Sequence, residues 1–573
     1  MGKIFWEMLN GILLVSVEML FPLKEVQAEQ IYSKMAVSSE SEHASRIGLN
    51  ILKKGGNAID AAIATAIAIG IVNPYSAGLG GGGFGLIKKG GDEEFTMIDF
   101  RETAPRKIRL SDYSKSPELA KKGGLAVCIP GELKGFMKMH KKYGKLKWEE
   151  LFKENIDLCF NGFKAHKNLL EKLIKNEKDI FKDEGLKETF VKDNKLVKIG
   201  DVIKRENLGK TLKIISKDPE SFYSGEIAEE LADFINKNGG KVDLTDFKDY
   251  QAVEREVIKT TFNEYNVYTT NTPSSGVFIS YALNVIKNID ESKLNIIKSK
   301  KSLCYFYHLM IEIFKFMFSR RGKLGDPDFQ ADWRLAVSEI LSDKLAKETA
   351  NSIKYDCVLG KESHKVLPFK EDHGTSHLNV IDEEGNVVSL TTSVNLEFGS
   401  MILNKKYGVL LNNTIDDFMH PDFINAYELD NTSTSNNLGP LKRPFSSMSP
   451  TIFVKKNKNR EEIISIGAAG GTRIPTSILL TLFYHLFLKM PLENAISFNR
   501  VHDQLLPPKT FVEFNFPKQL ADELRQLGHN VEFSDENTTF TSVQAITAIF
   551  DKNQGNKIIA ASDKRKNGVS CGV

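Results

Sequence analysis

The pattern of apolar and polar positions over residues 39–72 reads as helical, in two segments separated by Gly55-Gly56. Ser39 and Glu42 have the spacing of a capping box, which predicts where the first helix starts. A second helix is predicted from Asn57 through Asp60-Ala61-Ala62 to Val72, where Asn73-Pro74 stops it. Residues 130–300 read as mainly helical, with amphipathic Lys- and Glu-rich stretches such as Leu169–Phe181. The texture changes after residue 375, where short β-type runs separated by turns alternate with a few helices, such as Pro475–Leu488. The Asn- and Ser-rich stretch Asp422–Asn437 is predicted to be a loop. No internal repeat or low-complexity linker divides the chain.

One pair of strand-like runs carries more than its fold. Thr375–Asp382 and Val387–Asn395 flank Glu383-Glu384-Gly385-Asn386, which predicts a hairpin. If Glu383 pairs with Asn386, Ser393 stands opposite Ser376; a shift of one residue puts it opposite Thr375. In either register the hydroxyls of residues 375 and 393 approach within about 5–8 Å.

The N-terminus reads as an address. Lys3 precedes an apolar stretch from Met8 to Leu23, interrupted by Glu18, and Val26-Gln27-Ala28 then has signal-peptidase spacing. About 16 apolar residues fall short of the ~20 that span a bilayer. Export to a periplasm or the exterior is expected, with residues 1–28 removed; the alternative is an uncleaved anchor that leaves the protein facing outward.

Composition narrows the classes. At 573 residues, 41% apolar and 26% charged, the chain is ordinary globular protein. The 77 basic and 74 acidic side chains leave a net charge of +3, so no polybasic footprint for nucleic acid is present. The five cysteines are scattered, with no C-x-x-C pair and no even-numbered framework, and are expected to be mostly buried thiols. No metal site and no organic cofactor is implied. Gly78-Leu79-Gly80-Gly81-Gly82-Gly83 matches G-x-G-x-x-G, but a helix precedes it and a strand follows. Without strand–turn–helix no helix N-terminus holds a pyrophosphate, so close backbone packing is the reading. HExxH is absent.

The remaining blocks carry a resemblance. Gly374-Thr375-Ser376-His377, Asp382-Glu383-Glu384-Gly385-Asn386 and Thr391-Thr392-Ser393-Val394-Asn395 follow one another in order. Leu411-Asn412-Asn413 with Asp416-Asp417-Phe418, then Arg443-Pro444-Phe445-Ser446-Ser447-Met448, come next. Gly467-Ala468-Ala469-Gly470-Gly471-Thr472 and Ala561-Ser562-Asp563 with Arg565 follow. Upstream stand Asn57–Ala62, the glycine run, Asp99-Phe100-Arg101-Glu102 with Ala104-Pro105, Pro273-Ser274-Ser275-Gly276 and Gly325-Asp326-Pro327-Asp328-Phe329. From about Ala36 to the end this resembles the γ-glutamyltranspeptidases.

The resemblance implies an N-terminal-nucleophile hydrolase of α/β (α+β) class, a four-layer αββα sandwich. It implies a precursor that cuts itself between Gly374 and Thr375. The large subunit (29–374) and small subunit (375–573) would remain one intertwined domain, a heterodimer from one chain. Cutting gives Thr375 an α-amine of pKa about 7.7–8.0, a base beside its own hydroxyl. Arg101 matches the residue that grips the donor's α-carboxylate, supported by Ser446 and Ser447. Asn395, Thr414 and Asp417 match ligands of the α-ammonium. Gly470 and Gly471 match the pair whose N–H groups form an oxyanion hole. Tyr427 matches a lid residue of bacterial members. Glutathione and other γ-glutamyl compounds are the implied donors, with water, an amino acid or a dipeptide as acceptor.

Two positions depart from the family: Ser393 stands where threonine is usual, losing the methyl that stiffens χ1, and Thr414 where Gln or Glu is usual. Kept open are a related acylase or poly-γ-glutamate depolymerase using the same nucleophile, and an inactive, unprocessed homologue.

Overall fold

The computed structural model describes residues 29–114, 116–290, 302–364, 374–419, 435–536 and 539–573. The expected signal segment 1–28 and Tyr427 of the expected lid lie outside them. No helix among the described residues is long and apolar enough to cross a membrane.

Fourteen strands form two seven-stranded sheets. In chain order they are β1 (Ile31–Tyr32), β2 (Ala36–Ser39), β3 (Gly82–Lys88), β4 (Phe95–Asp99), β5 (Val253–Arg255), β6 (Ile258–Phe262) and β7 (Tyr265–Thr269). The second half supplies β8 (Ser376–Ile381), β9 (Val387–Ser393), β10 (Thr451–Lys456), β11 (Arg460–Ala469), β12 (Ser542–Asp551), β13 (Lys557–Ser562) and β14 (Val569–Gly572). One sheet runs β1-β13-β12-β11-β10-β7-β6 and the other β14-β2-β8-β9-β3-β4-β5. Both sheets contain strands from either side of residue 374, so a cut there would leave two pieces that share both sheets.

Between the sheets lies an apolar layer that includes Ala36, Leu86, Ile381, Val387, Ile452 and Ile546. Helices α1 (Glu42–Lys53) and α2 (Ala58–Val72) cover the outer face of the second sheet. Helices α4 (Gly276–Lys287) and α6 (Arg473–Leu486) cover the first, with α5 (Ser302–Ser319) packed on α4; α3 (Glu132–Tyr143) lies against β3. This is the expected αββα sandwich. Every residue of α2 is buried, which is why its Ala-rich sequence shows no polar face.

The cap lies at the second helix rather than the first. Ser39 ends β2, and Ser41, which stands at the N-cap of α1, makes no side-chain cap bond. Asn57 accepts from the amides of Ile59 and Asp60, while the Asp60 carboxylate accepts from the Asn57 amide. Leu169–Phe181 is likewise two helices, Lys167–Lys175 and Glu177–Ile180, broken at Asn176. Cys128, Cys159 and Cys304 are buried, and Cys357 and Cys571 are half-buried.

The hairpin takes the shifted register. Ser376 pairs with Thr392 and Ile381 with Val387, which brings Thr375 opposite Ser393. Asp382 sets this. Its Oδ1 accepts from the amides of Glu384 (3.0 Å) and Asn386 (2.9 Å), closing a three-residue loop in which Gly385 takes φ +79°. Its Oδ2 accepts from the Ala58 amide at 2.8 Å, tying the hairpin to the start of α2.

Candidate active site

Thr375 is 4% exposed and sits at the mouth of this hairpin with φ +115°, a backbone region a β-branched residue rarely enters. Gly374 has φ +82°, and a Cβ there would lie 1.6 Å from the Asn395 carbonyl oxygen. The junction between them, with Thr375 buried and Gly374 half-buried, is therefore strained, by roughly 1–3 kcal/mol for the threonine alone. Ser393 Oγ accepts from the Asn395 amide at 2.8 Å and so fixes the turn, φ +76° at Asn395, that presses on Gly374. On the neighbouring strand Gly81 and Gly83 pack so closely that a Cβ would lie 2.0 Å from the carbonyl oxygens of Ser393 and Thr391. That close approach is the role of the glycine run.

The two sheets meet in register beneath this point. A Cβ at Gly467 would strike the His377 ring, and Ser465 Oγ donates to Asn379 Oδ1 at 2.6 Å. One further two-residue step carries Thr375 toward Ala469 and the Gly470-Gly471 turn. Both glycines have positive φ, +137° and +63°, and α6 begins directly after them. Backbone N–H groups and a helix N-terminus thus stand at the end of β11 that this register pairs with the Thr375 end of β8. His377, two residues further along the chain, cannot act as its base. Burial pulls its pKa down to about 3, and its Nδ1 lies 2.8 Å from Thr391 Oγ1, facing away along the inter-sheet layer.

The remaining expected residues gather in one buried cluster. Arg101, 1% exposed, pairs directly with Asp417, lies 3.3 Å from Glu102 Oε2 and donates to the Pro444 carbonyl. The guanidinium and carboxylate expected to hold opposite ends of a substrate therefore hold each other. Thr414 Oγ1 donates to Glu102 Oε1 at 2.8 Å. A carboxyl group from the Arg101 segment thus reaches the side chain that the shorter residue at 414 presents. Burial raises the Glu102 pKa, against the pull of Arg101. Asn395 Nδ2 donates to the Asn413 carbonyl at 3.1 Å. Ser446 Oγ accepts from the Met448 amide, and Arg321 Nη1 donates to Ser447 Oγ at 2.7 Å and to Ser275 Oγ at 3.3 Å. Tyr427 lies outside the described residues.

Several participants escaped sequence reading. Glu102 sat inside a quoted block. Glu132, whose pKa burial raises strongly, accepts from Thr392 Oγ1 beside the hairpin. Lys566 donates to the Thr375 carbonyl, and Glu40 lies against Lys566. Glu40, Glu132 and Arg321 stand in no motif, and only the folded sheet order brings them here. Asn412, in an N-x-T sequon, is fully buried, its Nδ2 donating to the carbonyls of Gly80 and Cys128.

Among the described residues, His308, Glu312 and His529 form a buried group of metal-ligating types. His308 Nδ1 and His529 Nε2 are 2.7 Å apart, closer than the roughly 3.3 Å of two ligands on a tetrahedral ion. Lys315 Nζ, 2.8 Å from Glu312 Oε1, already supplies the positive charge. The group is a hydrogen-bonded core cluster.

The family model described as gamma-glutamyltranspeptidase matches residues 44–573. Glutathione hydrolase proenzyme 2 of Schizosaccharomyces pombe is 35% identical over 541 residues, 93% of this chain and 86% of that protein. Glutathione hydrolase proenzyme of Escherichia coli is 34% identical over 515 residues, 87% and 86%. The solved Helicobacter pylori gamma-glutamyltranspeptidase is 30% identical with a TM-score of 0.52, covering 57% of this chain and 93% of that one. The Bacillus halodurans cephalosporin acylase, at 23% identity, shares the fold: TM-score 0.83 over 96% of this chain and 98% of that one. With sheet order, buried threonine and family model in agreement, the chain belongs to the γ-glutamyltranspeptidase family.

Proposed function

We propose that this protein is an exported, self-processed γ-glutamyl hydrolase and transferase acting on glutathione and related donors, with Thr375 as nucleophile. The observation that carries it is the strained Gly374–Thr375 junction, with Thr375 buried at the end of the hairpin opposite Ser393. In processing, Thr375 Oγ attacks the Gly374 carbonyl carbon, the peptide nitrogen leaves, and water hydrolyses the resulting ester. The products are a carboxylate at Gly374 and a free α-amine at Thr375. That amine then takes the Thr375 hydroxyl proton as Oγ attacks the donor's γ-carbonyl. The oxyanion is met by the N–H groups of Gly470 and Gly471. The proton passes to the departing amine, and a γ-glutamyl ester on Thr375 remains for water, an amino acid or a dipeptide to take up. Export rests on the apolar segment ending at Val26-Gln27-Ala28.

N-terminal sequencing of purified protein should find a chain beginning Thr-Ser-His-Leu, and that material should release 4-nitroaniline from its γ-glutamyl derivative. An active protein that remains a single uncut chain would sink this mechanism.

Ser393 gives a finer test. Ser393→Thr should process at least as fast as the wild type, since the added methyl restricts χ1. Ser393→Ala leaves the buried Asn395 amide without its acceptor, which costs about 1–3 kcal/mol. It should process or turn over roughly ten-fold slower or worse; wild-type rates in both would remove Ser393 from the site.

A further inference from the structure

The α-amine assigned as base on the reading above would arise beside a fixed cation. Lys566 Nζ donates to the Thr375 carbonyl oxygen at 2.7 Å and lies 3.3–3.4 Å from both carboxylate oxygens of Glu40. Lys566 is 8% exposed and Glu40 1%, so solvent screens neither fully. The lysine is held in place from below. It ends a short 3₁₀ turn whose cap, Asp563, accepts from the Arg565 amide and pairs with Arg500 at 2.7 Å. The Gly568 amide closes the same turn on the Asp563 carbonyl. A residue's own nitrogen and carbonyl oxygen are at most about 3.6 Å apart, so Nζ stands within about 6 Å of the Thr375 nitrogen.

We propose that Lys566 is a positioning residue for Thr375. It holds the carbonyl of residue 375, and its charge favours the neutral form of the α-amine that cleavage frees. A like charge at this separation disfavours protonation of the amine, extending its use as a base to lower pH. Glu40 works in the opposite sense and limits the effect. The other ionisable groups described around Thr375 are Asp563, committed to Arg500 and Arg565, and Tyr75, which burial keeps as the phenol. Ser376 and Ser76, whose hydroxyls meet at 2.8 Å, fill the adjoining space without charge.

The sign of the effect is fixed. Turnover needs the neutral amine, so kcat/KM rises as pH climbs through the amine's pKa. Lys566 lowers that pKa and Glu40 raises it.

The test is the pH profile of kcat/KM with γ-glutamyl-4-nitroanilide, measured on protein whose Thr-Ser-His-Leu terminus has been confirmed. Wild-type protein lacking that terminus would count against the nucleophile assignment; the profile of matured variants tests Lys566 separately. Lys566→Met keeps the length and drops the charge. Its acid limb should move up by about one pH unit, with a lower plateau, while Lys566→Arg keeps the limb near its wild-type position. A lower plateau with an unmoved acid limb would reduce Lys566 to a structural contact and overturn the proposal. Should Lys566→Met fail to mature, Glu40→Gln carries the test with the opposite sign. Its limb should move down, and a limb that stays or rises overturns the charge argument.

Discussion

Thr375→Ala is expected to remain one uncut chain and to lose turnover by roughly 10⁴-fold or more, the scale on which enzymes lose activity without their nucleophile. Two functions disappear together. Without Oγ nothing attacks the Gly374 carbonyl, so the α-amine is never released and the base is lost along with the nucleophile. Among the described residues no neighbouring group replaces them. His377 is held as the neutral imidazole against Thr391 and faces Gly467 across the sheets. The hydroxyl of Ser376 is taken up by Ser76, and that of Ser393 by the Asn395 amide. Thr375→Ser separates geometry from chemistry: it keeps the hydroxyl and loses the methyl, so it should still process, more slowly. Mass spectrometry of the purified variants gives the chain state and 4-nitroaniline release gives turnover. A Thr375→Ala variant that matures, or that retains more than about one per cent of wild-type turnover, excludes Thr375 as the nucleophile.

Local signals in the sequence were sufficient where one segment decides its own structure. The α2 helix, the hairpin, and the strand following the glycine run all formed where punctuation and pattern placed them. What pattern alone left open or misplaced was decided by particular side-chain and strand contacts. The hairpin register turned on the Asp382 carboxylate, which gathers the amides of Glu384, Asn386 and Ala58 and enforces a three-residue loop. A two-residue turn and this loop look alike in sequence and differ by one residue in pairing. Ser39 and Glu42 had capping-box spacing, but strand pairing of Ala36–Ser39 with β8 and β14 claims the serine first. Arg101 and Asp417 were identifiable through resemblance, yet not that they meet, because 316 residues separate them. Lys566 and Glu40 lie at opposite ends of the chain, and only adjacency of β14, β2 and β8 makes them neighbours of Thr375.

The Arg101–Asp417 pair yields the sharpest test of what the enzyme recognises. Each pairs with the other, and Glu102 and the Pro444 carbonyl also lie against the guanidinium. A γ-glutamyl donor carries an α-carboxylate and an α-ammonium, so it can exchange this one pair for two, carboxylate on Arg101 and ammonium on Asp417. A donor with only one of these charges cannot make that exchange without leaving a buried partner uncompensated. Removing one member of such a desolvated pair costs about 2–5 kcal/mol, or roughly thirty- to several-thousand-fold in kcat/KM. Arg101→Ala and Asp417→Asn should both fall in that range with γ-glutamyl-4-nitroanilide. Arg101→Lys should recover little, because a point ammonium cannot reproduce the planar fork. Self-cleavage uses neither residue's charge, so the variants should still mature, and their intact masses should show it. A glutaryl donor, which lacks the α-ammonium, should be a poor substrate of the wild type. It should also lose far less from Asp417→Asn than the γ-glutamyl donor does. Equal wild-type turnover of glutaryl and γ-glutamyl donors would overturn the γ-glutamyl assignment and leave an acylase with the same nucleophile in its place.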